Sequence, residues 1–419
     1  MSRPAPLLDP NTRLLCQLLS FDSLSAFQAQ GLDIDWSRFV RLVIGHELAA
    51  IVYTRSHLQL EQLGLSATDM QQLYLGCLVQ VAGSERRRYW LEQLLRELAE
   101  RQIPVIVLKG AYLAEVVYPE PAMRSMGDID LMVPPEDLEA AAAALHKLGY
   151  QPMREFWYEV ELQSGHQLPP FNGPGAAQVE LHWRLFDPGS HDPIDVTGLW
   201  ERKRAGQLLG QPAFGLCPED LLLYLCLHSA GHHLKNGLRS LYDIALTADH
   251  FKEEIDWEVF LQRLRVWKAE RAVFLLFWLA KSLYQAPLPE LVIAELRPDD
   301  FSSEAADLAC ELAAALPGDE VYIPTHLTEL VATKGYKARL GLILSQLFLP
   351  VQVMRRAYSV PPSTWKVLLY YPIRWWDLCK RGLRPILALL RRDRQSRTQV
   401  EADFERQRKE ELLIRWLGS

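Results

Sequence analysis

The spacing of hydrophobic positions changes twice along the chain, from helical to strand-like and back to helical. Over residues 12–101 apolar side chains recur every three to four positions, which predicts helices. Within this region, residues 84–100 place their leucines and Tyr89 on one side and their charges on the other. This pattern predicts a surface helix packed on a core.

Strand-like patterns begin after Pro104. Residues 105–108 are a short β-branched run and residues 129–133 are a second apolar run, which predicts two buried strands. Residues 156–162 and 178–184 alternate between apolar and polar positions, which predicts two more strands.

Helices are predicted for most of the remaining chain. Residues 111–117 read as a short helix that ends before Pro119, and residues 135–148 as an Ala-rich helix with Gly149 as its cap. The clearest later segments are residues 219–234, 238–250, 257–267 and 270–284.

Together these elements predict an α+β fold in which a small mixed β-sheet core is flanked by helical N-terminal and C-terminal regions. We expect four parts: a helical region at 1–100, an α/β core at 101–215, a helical domain at 216–360 that completes a cleft, and a basic, aromatic helical segment at 361–419.

Composition limits the class of protein. The 419 residues are 49% hydrophobic and 23% charged, which is typical of a globular chain with a sizeable core. The net charge of -7 argues against nucleic-acid binding driven by global charge. Scattered cysteines, the lack of a basic-then-apolar N-terminus and the lack of an apolar run of about 18 residues lead us to expect a cytoplasmic protein with reduced thiols.

The most informative short pattern is Asp128-Ile129-Asp130 after Gly127. On a strand, both aspartates point to the same face and Ile129 points into the core. Paired carboxylates are the ligands that Mg²⁺ or Mn²⁺ prefers, so the pair predicts a metal site. Glu180, which alternates with apolar neighbours on a later strand, is the natural third acid, as a metal ligand or as a base.

Donors for phosphate precede the acidic pair. Lys109 and Gly110 follow one strand and open a helix, where free backbone N–H groups bind anions and glycine permits close approach. Arg124 lies four residues before Asp128 and is expected to reach a triphosphate.

As an ordered set, these motifs resemble the uncharacterised bacterial nucleotidyltransferase family of the DNA polymerase β superfamily. The resemblance spans roughly residues 75–290 and is carried by Leu108-Lys109-Gly110, Tyr118-Pro119, Arg124, Gly127 to Asp130, Val133, Gly149-Tyr150, Glu180 to Trp183, His228, His232, His233, Asp243 and Asp256-Trp257.

The resemblance implies a mixed sheet, a glycine-containing turn that positions a nucleotide, and Mg²⁺ held by a D-x-D pair and a third acid. Asp128 and Asp130 match the pair, and Glu180 matches the third acid as a catalytic and metal-binding residue. Lys109 stands where the superfamily's turn has a small residue.

The histidines at 228, 232 and 233 allow three interpretations. His228 and His232 share one face of a probable helix, a spacing that can bind zinc. Alternatively the helix faces the nucleotide cleft, with His232, Lys235 and Arg239 near phosphate. Plain packing with hydrogen bonds is the third reading.

A basic and aromatic segment lies at residues 365–397. It fits a helix packed on the body of the protein, peripheral contact with an anionic membrane surface, or a grip on RNA or an acidic partner.

The function expected from these residues is Mg²⁺- or Mn²⁺-dependent transfer of a nucleoside monophosphate from an NTP to an unidentified acceptor: a small molecule, peptide, protein or RNA. Two alternatives are a phosphotransferase that uses the same acids and a non-catalytic scaffold with a degenerate site.

Overall fold

The structure of the protein is a computed structural model. The residues it describes are 8–21, 33–174, 177–188, 194–232, 234, 237–316, 340–341, 344–345, 347–362, 365–378, 380, 408–409 and 411–417. The chain divides into two compact units. One comprises Met1–Met153 and His166–Leu316, and the other comprises Arg154–Gly165 and Pro317–Ser419.

Helices precede the sheet in the first unit, as the spacing predicts. They are α1 (Pro10–Leu18), α2 (Trp36–Gly45), α3 (Ala49–Gln62) and α4 (Ala67–Glu100). The Ser66 side chain caps α4 by accepting a hydrogen bond from the backbone N–H of Asp69. The leucines of α4 at 91, 94, 95 and 98 are buried, but Tyr89 is 56% exposed. The prediction that Tyr89 shares their face was wrong, because the step of two residues from Tyr89 to Leu91 turns the helix by more than half a revolution.

The described strands form one seven-stranded mixed sheet. They are β1 (Ile106–Val107), β2 (Asp128–Met132), β3 (Gln151–Pro152), β4 (Phe171–Asn172), β5 (Gln178–His182), β6 (Arg204–Leu208) and β7 (Gln211–Gly215), in the order β3-β4-β5-β2-β1-β7-β6. The pairs β2–β5 and β1–β7 are parallel, and the others are antiparallel. This confirms the predicted strands near 105–108, 129–133 and 178–184.

Shorter helices connect the strands. They are α5 (Lys109–Val116), α6 (Leu138–Lys147), α7 (Tyr158–Ser164) and α8 (Val196–Glu201). Gly149 follows α6 with a φ of +86°, the left-handed conformation that the predicted cap requires.

A helical layer follows the sheet and supplies much of the core. Its members are α9 (Pro218–Gly231), α10 (Gly237–His250), α11 (Trp257–Val266), α12 (Glu270–Tyr284), α13 (Glu290–Glu295) and α14 (Ser303–Ala314). Tyr242 and Tyr284 are fully buried, and their rings meet edge to face at 5.4 Å. The four helices predicted between 219 and 284 are confirmed.

The second unit corrects one prediction. Residues 156–162 were expected to form a strand, but α7 occupies Tyr158–Ser164. Val160 and Glu161 are both buried, and a strand would turn such neighbours to opposite faces. Glu161 is held at 2.5 Å by Arg154 and at 2.9 Å by Arg356. These ion pairs, which the local pattern does not reveal, favour the helix.

The rest of the described second unit is small. Helix α15 (Val351–Ala357) contributes Met354 to a cluster with Val360 and Val367. None of the described helices combines the length and apolar character that a membrane crossing requires. The five described cysteines are free and buried, as expected, and Cys379 lies outside the described residues.

Candidate active site

Two neighbouring strands in the middle of the sheet carry the predicted acids. In the parallel pair β2–β5, Asp130 lies opposite Glu180, and Asp128 lies opposite Gln178. Side chains alternate along a strand, so Asp128, Asp130 and Glu180 share one face. The residues between them, Ile129, Leu131, Val179 and Leu181, are fully buried on the other face. The structure therefore brings the three acids to one surface of the sheet.

A closer group forms around Asp130. Potential ligand atoms of Asp130, Glu180 and His182 all lie within 4.8 Å of one another. His182 Nε2 is 3.0 Å from Asp130 Oδ1 and 3.5 Å from Glu180 Oε2. Sequence reasoning did not assign His182 to the site. Its signal was the two-residue spacing from Glu180, which puts both side chains on the same face of β5.

Lys109 contacts the same group from the start of α5. Its Nζ lies 2.6 Å from Asp130 Oδ1. The backbone of Lys109 has a φ of +45°, which glycine adopts more readily than other residues. Lys109 adds a cation to the acidic face.

The charges around Asp130 and His182 support one another. Burial alone would raise the pKa of Asp130, but the positive charges of Lys109 and His182 hold it well below its usual range. Burial lowers the pKa of His182, but hydrogen bonds to Asp130 and Glu180 raise it above its usual value. Asp130 is therefore ionised, and it is held by Lys109 on one side and His182 on the other.

Asp128 has a different environment. It is half-buried, and it lies outside the close group formed by Asp130, Glu180 and His182. Burial, followed by the negative charge of Asp130, raises the pKa of Asp128 from 3.8 to about 6. A carboxylate whose charge is disfavoured in this way gains when a cation binds beside it.

Helix α9 packs against the cationic side of the group. Burial and then the charge of Lys109 lower the pKa of His228 well below its usual value, so its imidazole is neutral. The rings of His228 and His232 are 4.4 Å apart, and His232 is exposed at the end of the helix. His233 and Lys235 lie outside the described residues.

The two predicted arginines are each paired with an acid that does not belong to β2 or β5. Arg124 is buried and makes a two-pronged ion pair with Asp243, each contact being 2.8 Å long. Tyr118 donates a hydrogen bond of 2.8 Å to the same carboxylate. Arg239 pairs with Glu47. These pairings, between residues distant in sequence, are what the local pattern does not show.

Gly110 lies against the side chain of Arg124. A methyl group in place of its hydrogen would be 3.5 Å from Arg124 Nη1, an ordinary contact. Packing therefore does not require glycine here, and Gly110 itself is buried.

Similarity to known proteins identifies the family of the chain. A family model described as an uncharacterised nucleotidyltransferase matches residues 33–285, which is more than half of the chain. The chain belongs to this nucleotidyltransferase family. A search of the curated proteins finds no match.

Two solved structures resemble parts of the chain. The solution structure of the antibiotic-resistance factor ANT(2'')-Ia aligns with a TM-score of 0.33 and 15% identity, over 44% of this chain and 95% of that one. The crystal structure of an antigenic nucleotidyltransferase-like protein from Paracoccidioides brasiliensis aligns with a TM-score of 0.27 and 16% identity, over 46% of this chain and 93% of that one.

For a nucleotidyltransferase family member, the donor set on β2 and β5 fits a divalent cation. Two carboxylates and one imidazole converge within the spacing that one ion can bridge. Carboxylate oxygens suit Mg²⁺ and Mn²⁺ alike, whereas an imidazole ligand favours the transition metal Mn²⁺ of the two. The ammonium of Lys109 contacts the same oxygen of Asp130 as His182 does, so it competes with a cation at that oxygen.

Proposed function

We propose that the protein transfers a nucleoside monophosphate from an NTP to an acceptor in a reaction that depends on Mg²⁺ or Mn²⁺. One observation carries the proposal: in a member of a nucleotidyltransferase family, Asp128, Asp130 and Glu180 share one face of two paired parallel strands. Three converging acids are what a cation-assisted phosphoryl centre needs.

In this reaction the acceptor oxygen or nitrogen forms a bond to the α-phosphorus of the NTP. The bond from that phosphorus to the bridging oxygen breaks, and pyrophosphate leaves. Glu180, the more exposed member of the group around Asp130, accepts the acceptor's proton.

The other residues of the site bind the cation or orient its ligands. Asp128, Asp130 and Glu180 would hold the cation, which would supply neutralising charge for the phosphates. In the metal-free protein His182 and Lys109 fix the orientation of the Asp130 carboxylate, and the His182 imidazole would join the ligands when a cation binds. The low pKa that they give Asp130 keeps it ready to bind a cation.

The phosphates are proposed to lie at the start of α5. Backbone N–H groups in the first turn of α5 would bind an anion, and His232 is exposed at the end of α9. Arg124 acts as a positioning residue for Gly110, because its own guanidinium is already paired with Asp243. Lys235, which follows α9 in the sequence, stays a candidate for the nucleotide side, whereas Arg239, on α10, is paired with Glu47.

The test is to incubate the full chain with each α-labelled NTP, Mg²⁺ or Mn²⁺, and cell extract. The expected result is label in one class of acceptor together with release of pyrophosphate. Asp128→Asn should abolish the transfer, while Asp299→Asn, the same change at an exposed aspartate, should leave it intact. Circular dichroism checks that both variants are folded.

Three results would overturn the proposal. Transfer by Asp128→Asn at the wild-type rate would remove the pair from the chemistry. ADP release without pyrophosphate would identify a phosphotransferase. Failure of every NTP to bind in the presence of a divalent cation would identify a degenerate scaffold.

The second unit supports a separate proposal, peripheral contact with an anionic lipid surface in an otherwise cytoplasmic protein. Apolar side chains between residues 365 and 376 are 47–70% exposed, namely Trp365, Leu368, Leu369, Ile373 and Trp376. Lys380 Nζ lies 5.1 Å from the centre of the Trp376 ring, so a cation accompanies the apolar surface. Residues 381–397 lie outside the described residues.

A further inference from the structure

A pocket of about 870 Å³ lies beside the start of β2. It is formed by one face of α4 and by the corner that joins α2 to α3, and it extends to Ser125, three residues before Asp128. None of the residues that carry the proposed transfer lines it. Its volume is suitable for a small organic molecule.

One wall of the pocket is apolar and open to solvent. Ile44, Leu75 and Val79 line it and are 39%, 52% and 74% exposed. Gly76 lets α2 approach α4, because a methyl group there would lie 2.8 Å from Ile44 Cγ1. Leu75 and Val79 lie one turn apart on α4 and are largely exposed, so they are available to an apolar ligand.

The end of the pocket nearest the acids is cationic. Arg86 and Arg87 both line it; burial lowers the pKa of Arg87, the charge of Asp128 raises it, and the charge of Arg86 lowers it. Arg87 Nε donates a hydrogen bond of 3.2 Å to the carbonyl of Gly127. An oxyanion in the pocket would form a charge-assisted pair with the guanidinium of Arg87.

The position of this cationic end relative to β2 separates it from the nucleotide side. Lys109 and the start of α5 contact Asp130, whereas Arg87 contacts the residue before Asp128. A molecule in the pocket therefore approaches the acids from the Asp128 end, and the phosphates proposed at α5 lie at the Asp130 end. Two substrates that approach from opposite ends can meet at the acids.

Resting on the proposed nucleotidyl transfer, we infer that this pocket is the acceptor subsite and that the acceptor has an apolar body and an oxyanion group. The apolar body lies along Leu75 and Val79, and the oxyanion pairs with Arg87. The nucleophile of the acceptor then faces the acids of β2.

Binding of simple probes to the full chain tests this inference without turnover. The probes are 2-naphthoate, 2-naphthyl phosphate and the neutral 2-naphthamide, measured by calorimetry. We expect the better of the two anions to bind about tenfold more tightly than the amide, because a charge-assisted hydrogen bond to a guanidinium is stronger than a neutral one. The comparison of the two anions distinguishes a carboxylate from a phosphate as the preferred group.

Matched variants locate the binding. Arg87→Met should reduce anion affinity to that of the amide, while Arg96→Met, the same change farther along α4, should have no effect. Val79→Asp should weaken all three probes, while Leu291→Asp, at a residue that is 85% exposed on α13, should not. Circular dichroism confirms that the variants are folded.

Equal affinity for anions and amide, or wild-type binding by Arg87→Met, would overturn the inference. Displacement of the probe by a non-hydrolysable NTP analogue would also overturn it, since the pocket would then belong to the nucleotide. Asp128→Asn should bind the probes normally. If the protein transfers label but does not bind the probes, only the assignment of the pocket is wrong. If it binds the probes but transfers no label, only the proposed reaction is wrong.

Discussion

Lys109 Nζ and Asp130 Oδ1 are 2.6 Å apart, with the lysine side chain 16% and the aspartate side chain 2% exposed. The pair joins the start of α5 to the middle of β2. It gives the acidic face a cation of the protein's own, which balances Asp130 before any metal binds. Lys109 therefore has a role that its position at a predicted phosphate turn does not suggest.

Lys109→Met should lower the free energy of unfolding of the metal-free protein by about 3 kcal/mol, because it leaves a buried carboxylate with one partner fewer. Urea denaturation in EDTA measures the loss. Added Mn²⁺ should raise the Tm of Lys109→Met more than that of the wild type, since the competing ammonium is gone. A Tm response equal to that of the wild type would contradict this account.

Lys109→Gly removes the same charge but keeps the backbone relaxed at its φ of +45°. It should be more stable than Lys109→Met by about 1 kcal/mol, the cost of a left-handed conformation for a residue with a side chain. The comparison of the two variants in urea separates backbone strain from charge. Equal stabilities would mean that the backbone conformation is not strained.

Asp128→Asn should be more stable than the metal-free wild type above neutral pH. The pKa of Asp128 rises from 3.8 to about 6 on folding, so wild-type stability is greatest below the unfolded value and declines as pH rises towards 6. Asparagine does not titrate, so the variant should gain about 3 kcal/mol relative to the wild type over this range. Denaturation in EDTA at pH 3.5 and pH 7.5 measures it. A constant difference between the two pH values would contradict the shift.

His182→Gln should weaken the binding of Mn²⁺ more than that of Mg²⁺. Glutamine offers an oxygen in place of an imidazole nitrogen, which Mg²⁺ tolerates better than Mn²⁺. We expect Mn²⁺ affinity to fall about tenfold, as measured by the electron paramagnetic resonance of free Mn²⁺. His146→Gln, on α6, is the matched control. Equal losses for both ions would show that His182 acts only by orienting Asp130.

Arg124→Lys should destabilise the fold. Its pair with Asp243 is buried, with side-chain exposures of 8% and 4%, and lysine cannot make both contacts. We expect a loss of about 3 kcal/mol, against less than about 1 kcal/mol for Arg88→Lys, whose ion pair with Glu115 is more exposed. Urea denaturation measures both. A stable Arg124→Lys protein with weakened NTP binding would instead place Arg124 in direct contact with the nucleotide.

Replacing both Trp365 and Trp376 by alanine should weaken sedimentation with phosphatidylserine vesicles by at least about tenfold, because two large apolar side chains leave the interface. Phosphatidylcholine vesicles and added salt should weaken wild-type binding through the lost attraction of charges. Leu291→Ala, on the first unit, is the control. Wild-type protein that stays in the supernatant with both lipids would rule out membrane contact.

The elements with strong local periodicity could be predicted from the sequence. β2 and β5 combine alternation with fully buried residues, and the helices after residue 218 have long apolar faces. The β6–β7 hairpin could not, because the three middle residues of β6 are exposed and β6 has no alternation of apolar and polar positions. Its turn places Leu209 and Gly210 at φ values of 53° and 75°, where asparagine or aspartate would have given the usual signal at the first position.

Some residues of the candidate site could also be predicted from the sequence, and others could not. The acids at 128, 130 and 180 follow from spacing along single strands. The partners of Arg124 and Lys109 depend on contacts between elements, with Asp243 lying 119 residues beyond Arg124. No local pattern encodes such a pair. His182 lies between these cases: its spacing was visible, but its contact with Asp130 required the register of β2 against β5.

The order of the strands has a consequence for local opening. β2 and β5 each have a hydrogen-bonded neighbour on both sides, whereas β6 is an outer strand of the sheet. Backbone amides in such inner strands exchange with deuterium only in the rarest fluctuations, while outer strands open often. The peptide groups that carry the acids should therefore be among the last to take up deuterium. Fraying of the hairpin can occur many times without altering the spacing of the carboxylates.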